Sequence, residues 1–393
     1  MNISPGRKIL ITAMTTSLLL APAAPAAEKQ AREYFVYVGT YTGGRGRVSE
    51  GIYVFRFDTT TGKASAPSLA ATTVNPSFLA VHPGGKYLYA ANEVSEFAGK
   101  GVGAVGAFAI DRENGKLTLL NQASSAGSGP AHLTVDRTGK CVLVANYGGG
   151  SVAALPIKAD GSLGEPASFI QHTGSSVDPN RQKEPHAHSI NVSPDNRFAF
   201  AADLGLDKIL IYKLDPTTAA LTANDPPFAT VSPGSGPRHF AFHPSGKFAY
   251  VINEMLCTMT AFSYDAKRGE LKAIQTVSTL PAGESVKPGY STAEVVAHPN
   301  GKFLYGSNRG HDTIAVYAIG ADGKIMLIQN APAEVKIPRN FNLDPTGRWL
   351  ITAGQNSDNL AVFRVDQQTG RLEFTGTKIE VGAPVCVRFL PIK

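Results

Sequence analysis

Short runs in which apolar and polar residues alternate, separated by turns rich in Pro and Gly, follow one another along most of the chain, as in half-buried β-strands. Six of these runs repeat one unit. His82-Pro-Gly-Gly-Lys-Tyr-Leu-Tyr-Ala-Ala-Asn92 and His243-Pro-Ser-Gly-Lys-Phe-Ala-Tyr-Val-Ile-Asn253 are two copies, and the others run from Asp136, Ser193, His298 and Asp344. Counted from the second residue of each, the separations are 54, 57, 50, 55 and 46 residues. A period of about 50 residues built from short strands and tight turns predicts the blades of a β-propeller.

A second strand type occurs once per repeat, at 51–57, 102–110, 151–157, 208–214, 258–264, 313–319 and 359–365, which makes seven blades. The seventh is divided between the chain ends. Arg388-Phe-Leu-Pro391 matches the start of the unit and Tyr34-Phe-Val-Tyr-Val-Gly39 its continuation. The expectation is an all-β, seven-bladed β-propeller whose ring is closed by N- and C-terminal strands in one blade, a closure that removes exposed sheet edges.

Within each unit two strands run antiparallel about the Pro-x-Gly turn, so the residue six before the repeat proline and the residue ten after it meet at the hairpin's open end. Around the ring the first position reads Ser77, Ala131, His188, Arg238, Ala293, Arg339 and Val385. The second reads Thr40, Glu93, Tyr147, Leu204, Glu254, Arg309 and Gln355. Structural positions in a repeat stay alike, whereas a site needs different chemistry from each blade, so these divergent positions mark the functional end. His188, Arg238, Glu254 and Arg309 are the candidate catalytic residues, with Arg339, Gln355 and His186 as candidate substrate-binding residues. Arg238 and Glu254 also fit a structural cross-strand ion pair. His186 and His188 lie two apart on one strand, but no third metal ligand follows and the arginines would repel a cation; no metal and no cofactor is expected. His82, His243 and His298 fall in the repeated turn, where Asp and Ser replace them, and read as capping groups. His132 and His239 recur at one strand position and read as packed and hydrogen-bonded. His172 carries no signal.

Ahead of the first strand, Arg7-Lys8, an apolar stretch from Ile9 to Leu20 and Ala-rich residues up to Ala27 read as a cleaved secretory signal peptide, leaving 28–393 as one propeller domain. The mature protein is then periplasmic or secreted, with no membrane association after cleavage. Cys141, Cys257 and Cys386 stand in apolar strand contexts and read as buried free thiols. The chain has 393 residues, of which 37 are Lys or Arg and 31 Asp or Glu. This mild excess is spread out, without basic runs, which argues against nucleic acid as a partner. No nucleophile elbow, P-loop or dinucleotide fingerprint is present.

The segments His188-Ser-Ile-Asn-Val-Ser-Pro-Asp-Asn-Arg197, Gly236-Pro-Arg-His-Phe-Ala-Phe-His-Pro244, Asn253-Glu254, Asn308-Arg309 and Arg339-Asn-Phe-Asn-Leu-Asp344 resemble the seven-bladed propeller lactonases, the group that includes propeller-type 6-phosphogluconolactonase and fungal carboxy-muconate cyclase. The resemblance spans Tyr34 to Phe389. It implies metal-independent hydrolysis of a sugar-acid lactone, with His188, Arg238, Glu254 and Arg309 at the site. Either Glu254 or His188 is then the base for the attacking water: burial would suit Glu254 to the task, whereas a tight Arg238 pair would pass it to His188. The expected partner is a small lactone or acidic sugar, and the protein is expected to be a monomer. An exported location argues against a phosphorylated substrate. Two other readings fit the same residues: a muconate-type cycloisomerase, and a non-catalytic periplasmic binding propeller.

Overall fold

The computed structural model describes residues 1–4, 32–43 and 49–392. Most of the expected signal peptide, from residue 5 to residue 27, lies outside the described residues. Every regular element among the described residues is a strand. They form seven antiparallel sheets in a ring. Blades 1 to 6 begin with the inner strands Pro76–Val81, Pro130–Val135, Ala187–Val192, Pro237–Phe242, Ser291–Ala297 and Pro338–Leu343. Blade 7 takes its inner strand, Pro384–Pro391, from the C-terminus and its second, Glu33–Thr40, from the N-terminus, with Tyr37 opposite Arg388. This is the closure the sequence predicts.

Each repeated unit forms the inner two strands of a blade, and the second strand type becomes the third. The fourth, outer strand is the one the repeat does not announce. Strands such as Leu117–Ser124 and Leu372–Glu380 are mostly exposed, so packing constrains them too little to make their sequences alike.

The core lies between blades as apolar layers. Tyr250, Ile252 and Met259 of blade 4, for example, pack on Leu304, Ala315 and Tyr317 of blade 5. A hydrogen bond pins several of these layers. The buried hydroxyls of Tyr37, Tyr89, Tyr250 and Tyr305 donate to the carbonyls of Gly115, Gly161, Gly323 and Gly370 in the next blade's outer turn. The turn histidines add another set. The Nδ1 atoms of His82, His243 and His298 accept from backbone N–H groups two residues on, and their Nε2 atoms reach Gly139, Gly301 and Gly347 carbonyls on a neighbouring blade. They therefore join blades as well as capping turns. Cys141, Cys257 and Cys386 are buried and free.

Gly323 combines a φ of +80° with a position where a Cβ would stand 2.3 Å from the Phe248 ring, whereas Gly376, at +81°, faces open space. Gly323→Ala is expected to cost about 2–4 kcal/mol, from backbone strain plus overpacking, and Gly376→Ala only about 1–2 kcal/mol. Urea unfolding of the two variants beside the wild type measures the difference.

Candidate active site

At the open end of each inner hairpin the strand pairing slips by one residue. In blade 4 Pro237 pairs with Asn253 and His239 with Ile252, so Arg238 is bulged out of the ladder. The same irregularity falls at Ser77, Ala131, His188, Arg339 and Val385, and across Ala293 and Glu294. A bulge frees its side chain from the up-and-down alternation of the strand and re-aims it. Here six of the seven first-position residues, Ser77, Ala131, His188, Arg238, Arg339 and Val385, line a single narrow pocket of about 10 Å³ at the channel mouth. That is about the space one buried water needs, so these side chains are drawn close together around the axis.

Glu254 is the electrostatic hub of this mouth. Its Oε2 accepts from Arg238 Nε at 3.0 Å and lies 2.9 Å from Arg309 Nη2, while Oε1 accepts from Arg181 Nη2 at 2.7 Å. Two of the arginines are also held by main chain. Arg238 donates from Nη1 to the Ala293 carbonyl at 2.7 Å, and Arg309 donates from Nε and Nη2 to the Thr292 carbonyl. Burial pushes the Glu254 carboxyl up, but Arg309, Arg238 and Arg181 outweigh it and hold the group well below the usual carboxylate range. Arg339 lies over the Tyr41 ring, 5.4 Å from its centre, and Tyr41 donates its hydroxyl to Glu93 at 2.9 Å. Among the described residues Arg339 has no direct ion pair with a carboxylate, but Tyr41, Glu93 and Glu254 favour its charged form and outweigh the cost of burial.

His188 is 4% exposed, and its Nδ1 is buried without a hydrogen-bond partner. Burial lowers its pKa well below that of a free imidazole, and Arg238, His239 and Arg339 lower it further, so the ring is neutral. His186 does not line the pocket. It stacks on Tyr147, and its Nδ1 is 3.0 Å from the Tyr147 carbonyl; the Tyr147 ring also meets His188 edge-on. Gln355 is half-buried at the rim, and among the described residues no hydrogen bond ties its side chain to the arginines. Of the predicted residues, the structure thus brings together His188, Arg238, Glu254, Arg309 and Arg339.

Sequence reasoning missed Arg181, whose only signal is the length of the loop that carries it. That loop is fastened by a buried chain: Tyr212 Oη lies 2.8 Å from His172 Nε2, and His172 Nδ1 lies 2.6 Å from Asp203 Oδ2. His132 and His239 are packed and hydrogen-bonded as expected, yet both rings also line the channel below the mouth. A larger crevice, about 870 Å³, lies among tight turns at the other end of the hairpins, around Trp349 and Arg371.

The sequence profile of the family described as "Lactonase, 7-bladed beta-propeller" matches residues 35–389. The chain belongs to this lactonase family. The resemblance read from the repeated motifs, and the enzyme class it implied, are borne out. Among relatives of this lactonase, the 6-phosphogluconolactonase of Bacillus subtilis is 38% identical, over 91% of this chain and 99% of that protein. The 6-phosphogluconolactonase of Formosa agariphila is 36% identical, over 86% of this chain and 94% of its own. Among solved structures, the periplasmic gluconolactonase of Pseudomonas aeruginosa superimposes with a TM-score of 0.84 at 36% identity, covering 92% of this chain and 100% of that one.

The two kinds of partner around Glu254 differ in exposure: Arg238 is 1% exposed on its side chain, Arg181 43%. Glu254→Ala, which strands buried guanidinium groups, is expected to lose about 3–5 kcal/mol. Arg181→Ala removes a solvent-screened partner and is expected to lose about 1 kcal/mol or less. Denaturant titrations of both variants test this ordering.

Proposed function

We propose that this lactonase opens the ring ester of a sugar-acid lactone by attack of water, without a metal, in the mouth formed by His188, Arg238, Glu254, Arg309 and Arg339. The observation that carries the reading is a neutral, buried imidazole beside the buried, main-chain-anchored guanidinium of Arg238, with Arg339 lining the same small pocket. As water adds to a lactone carbonyl, charge develops on oxygen, and fixed cations in a dry site stabilise it without reorganising. The attacking water needs a base. Glu254, locked by three arginines, is a poor proton acceptor, so the task falls to His188 and Glu254 holds the arginines in place. Arg339, with no carboxylate in direct contact, has a guanidinium available to the substrate's own polar or acidic end.

The relatives' names supply the substrate class. Glucono-1,5-lactone is the first substrate to test, because the leader-like residues 1–27 fit an exported protein, periplasmic or secreted, and one structural relative is a periplasmic gluconolactonase. The protein acts as a monomer in this reading, since the mouth is built from one chain.

Purified protein is expected to release gluconic acid well above the spontaneous rate, and rates equal with and without protein would remove the proposal. His188→Ala is expected to lower kcat by about 10²–10⁴-fold and Arg238→Ala by about 10²–10³-fold, whereas Arg339→Ala acts mainly on KM. Because His188 must be neutral to accept a proton and its pKa is lowered from 6.5, kcat/KM should stay flat through neutral pH and fall only on the acid side of 6.5. A pH profile that still rises above pH 7 would exclude His188 as the base.

A further inference from the structure

His188 has a neighbour that the reading above leaves unused. His239, the next residue after the Arg238 bulge, is 4% exposed and lines both the mouth pocket and the channel cavity below it. Its Nδ1 lies 2.9 Å from Glu294 Oε1, and its Nε2 is buried with no partner. Glu294 is itself gripped by donors that cannot turn round. The Val295 N–H donates to Oε1 at 3.0 Å. The Asn340 amide donates to Oε2, and its own Oδ1 already accepts the Val387 N–H at 2.9 Å, which fixes the orientation of the amide. With both carboxylate oxygens accepting, the His239 contact is supplied by an Nδ1–H, and Nε2 carries a bare lone pair.

The His188 and His239 rings lie 5.3 Å apart, centre to centre, at 68°. Two buried ring nitrogens without partners, His188 Nδ1 and His239 Nε2, therefore belong to neighbouring rings around one small pocket. An orphaned buried polar atom is costly and calls for an explanation; a donor and an acceptor orphaned on adjacent rings are both satisfied once one water bridges them.

We propose that Glu294 and His239 are positioning residues that form a proton relay behind His188. Glu294 fixes the proton on His239 Nδ1. His239 Nε2 then accepts from His188 Nδ1–H through one water, and this tautomer leaves His188 Nε2 as the base. The relay rests on the lactone-opening reading for its catalytic use. In the first step His188 Nε2 takes a proton from water while the water oxygen bonds the carbonyl carbon and the carbonyl electron pair moves onto oxygen. In the second the ring C–O bond breaks and the departing oxygen takes that proton from His188. Between the two, the positive charge on His188 is shared with His239 and opposed by Glu294.

The groups facing this pair are largely cationic. Arg238 and Arg339 face both rings, Arg309 and Arg388 face His239, and His132 lies 5.4 Å from it; the Tyr147 ring covers the other side of His188. Burial and these cations hold His239 neutral in the resting state, and burial pushes the Glu294 carboxyl up against the pull of Arg388 and the Val295 N–H. Two other carboxylates are near, Glu93 in the same pocket, bonded to Tyr41, and Glu254, held by its arginines, but Glu294 is the one in direct contact with His239, so removing it must lower the His188 pKa and not raise it.

Glu294→Gln and His239→Asn, the second keeping a donor near the Nδ1 position, are compared with the wild type in steady-state lactone opening across pH and by imidazole ¹⁵N NMR. For a relay, kcat falls about 10–100-fold in both variants, KM stays within about threefold, and the acid limb in Glu294→Gln moves to lower pH. A folded Glu294→Gln protein with kcat within about threefold of wild type and an unmoved limb overturns the proposal. The NMR arm needs no turnover. His188 and His239 should both carry the proton on Nδ1 in the wild type, with the His188 pattern changing in Glu294→Gln; an unchanged His188 pattern overturns the relay. Absence of turnover in the wild type would sink the lactone reading alone, leaving the relay to be decided by NMR.

Discussion

The mouth depends on a backbone irregularity repeated in all seven blades, the bulge at the start of each inner strand. A regular strand at the propeller axis would send its first side chain above or below the sheet, into the neighbouring blade. The extra residue breaks that alternation and turns the side chain toward the axis. The repeat frame carries the deformation equally, so each blade can change the residue at that point without disturbing its hairpin. Small side chains stand at Ser77 and Ala131, and large polar ones at His188, Arg238 and Arg339.

What the bulges concentrate, charge pairing then has to stabilise. Arg238 is buried and Arg309, 12% exposed on its side chain, nearly so, and their closeness is tolerable only with a shared anion. Glu254 is that anion, and carbonyls at Thr292 and Ala293 take up further donors. The third arginine, Arg181, arrives from a different part of the fold, on the loop that the Tyr212, His172 and Asp203 chain ties down. A carboxylate so fully engaged is an organiser of cations, and its chemistry as a base is the cost.

The sequence announced the ring, its closure and the cluster of mouth residues because these follow from period and register. Hairpin arithmetic placed Arg238 beside Glu254 and put His188 and Arg339 on the same rim without any knowledge of side-chain conformation. Periodicity does not extend to Arg181, since a loop outside the repeat has no register to count from. It reads His239 only as a packed strand residue and says nothing of its pairing with Glu294. They stand beside the counted bulge positions, where the repeat treats them as ordinary strand residues, and only the crossing of two blades brings them within 2.9 Å. The choice between Glu254 and His188 as base was open for the same reason: it turns on how many arginines reach one carboxylate, which is a three-dimensional count.

The same burial acts on two kinds of cationic group at this mouth with opposite outcomes. Desolvation penalises the charged form of both arginine and histidine. Arg238 starts from 12.5 and, drawn down to about 9 by burial and by Arg309 and Arg339, remains charged at neutral pH. His188 starts from 6.5, and a push in the same direction leaves it neutral. A single dry pocket thereby keeps permanent cations next to an unprotonated imidazole, the pairing that the proposed lactone opening calls for, and needs no separate compartment for either. Wetting the pocket would weaken both at once, by screening the arginines and by letting the imidazole charge. The small apolar and hydroxylic residues that complete the rim, Ala131, Val385 and Ser77, are in that sense part of the chemistry: they close the space around the charged groups and donate no charge of their own.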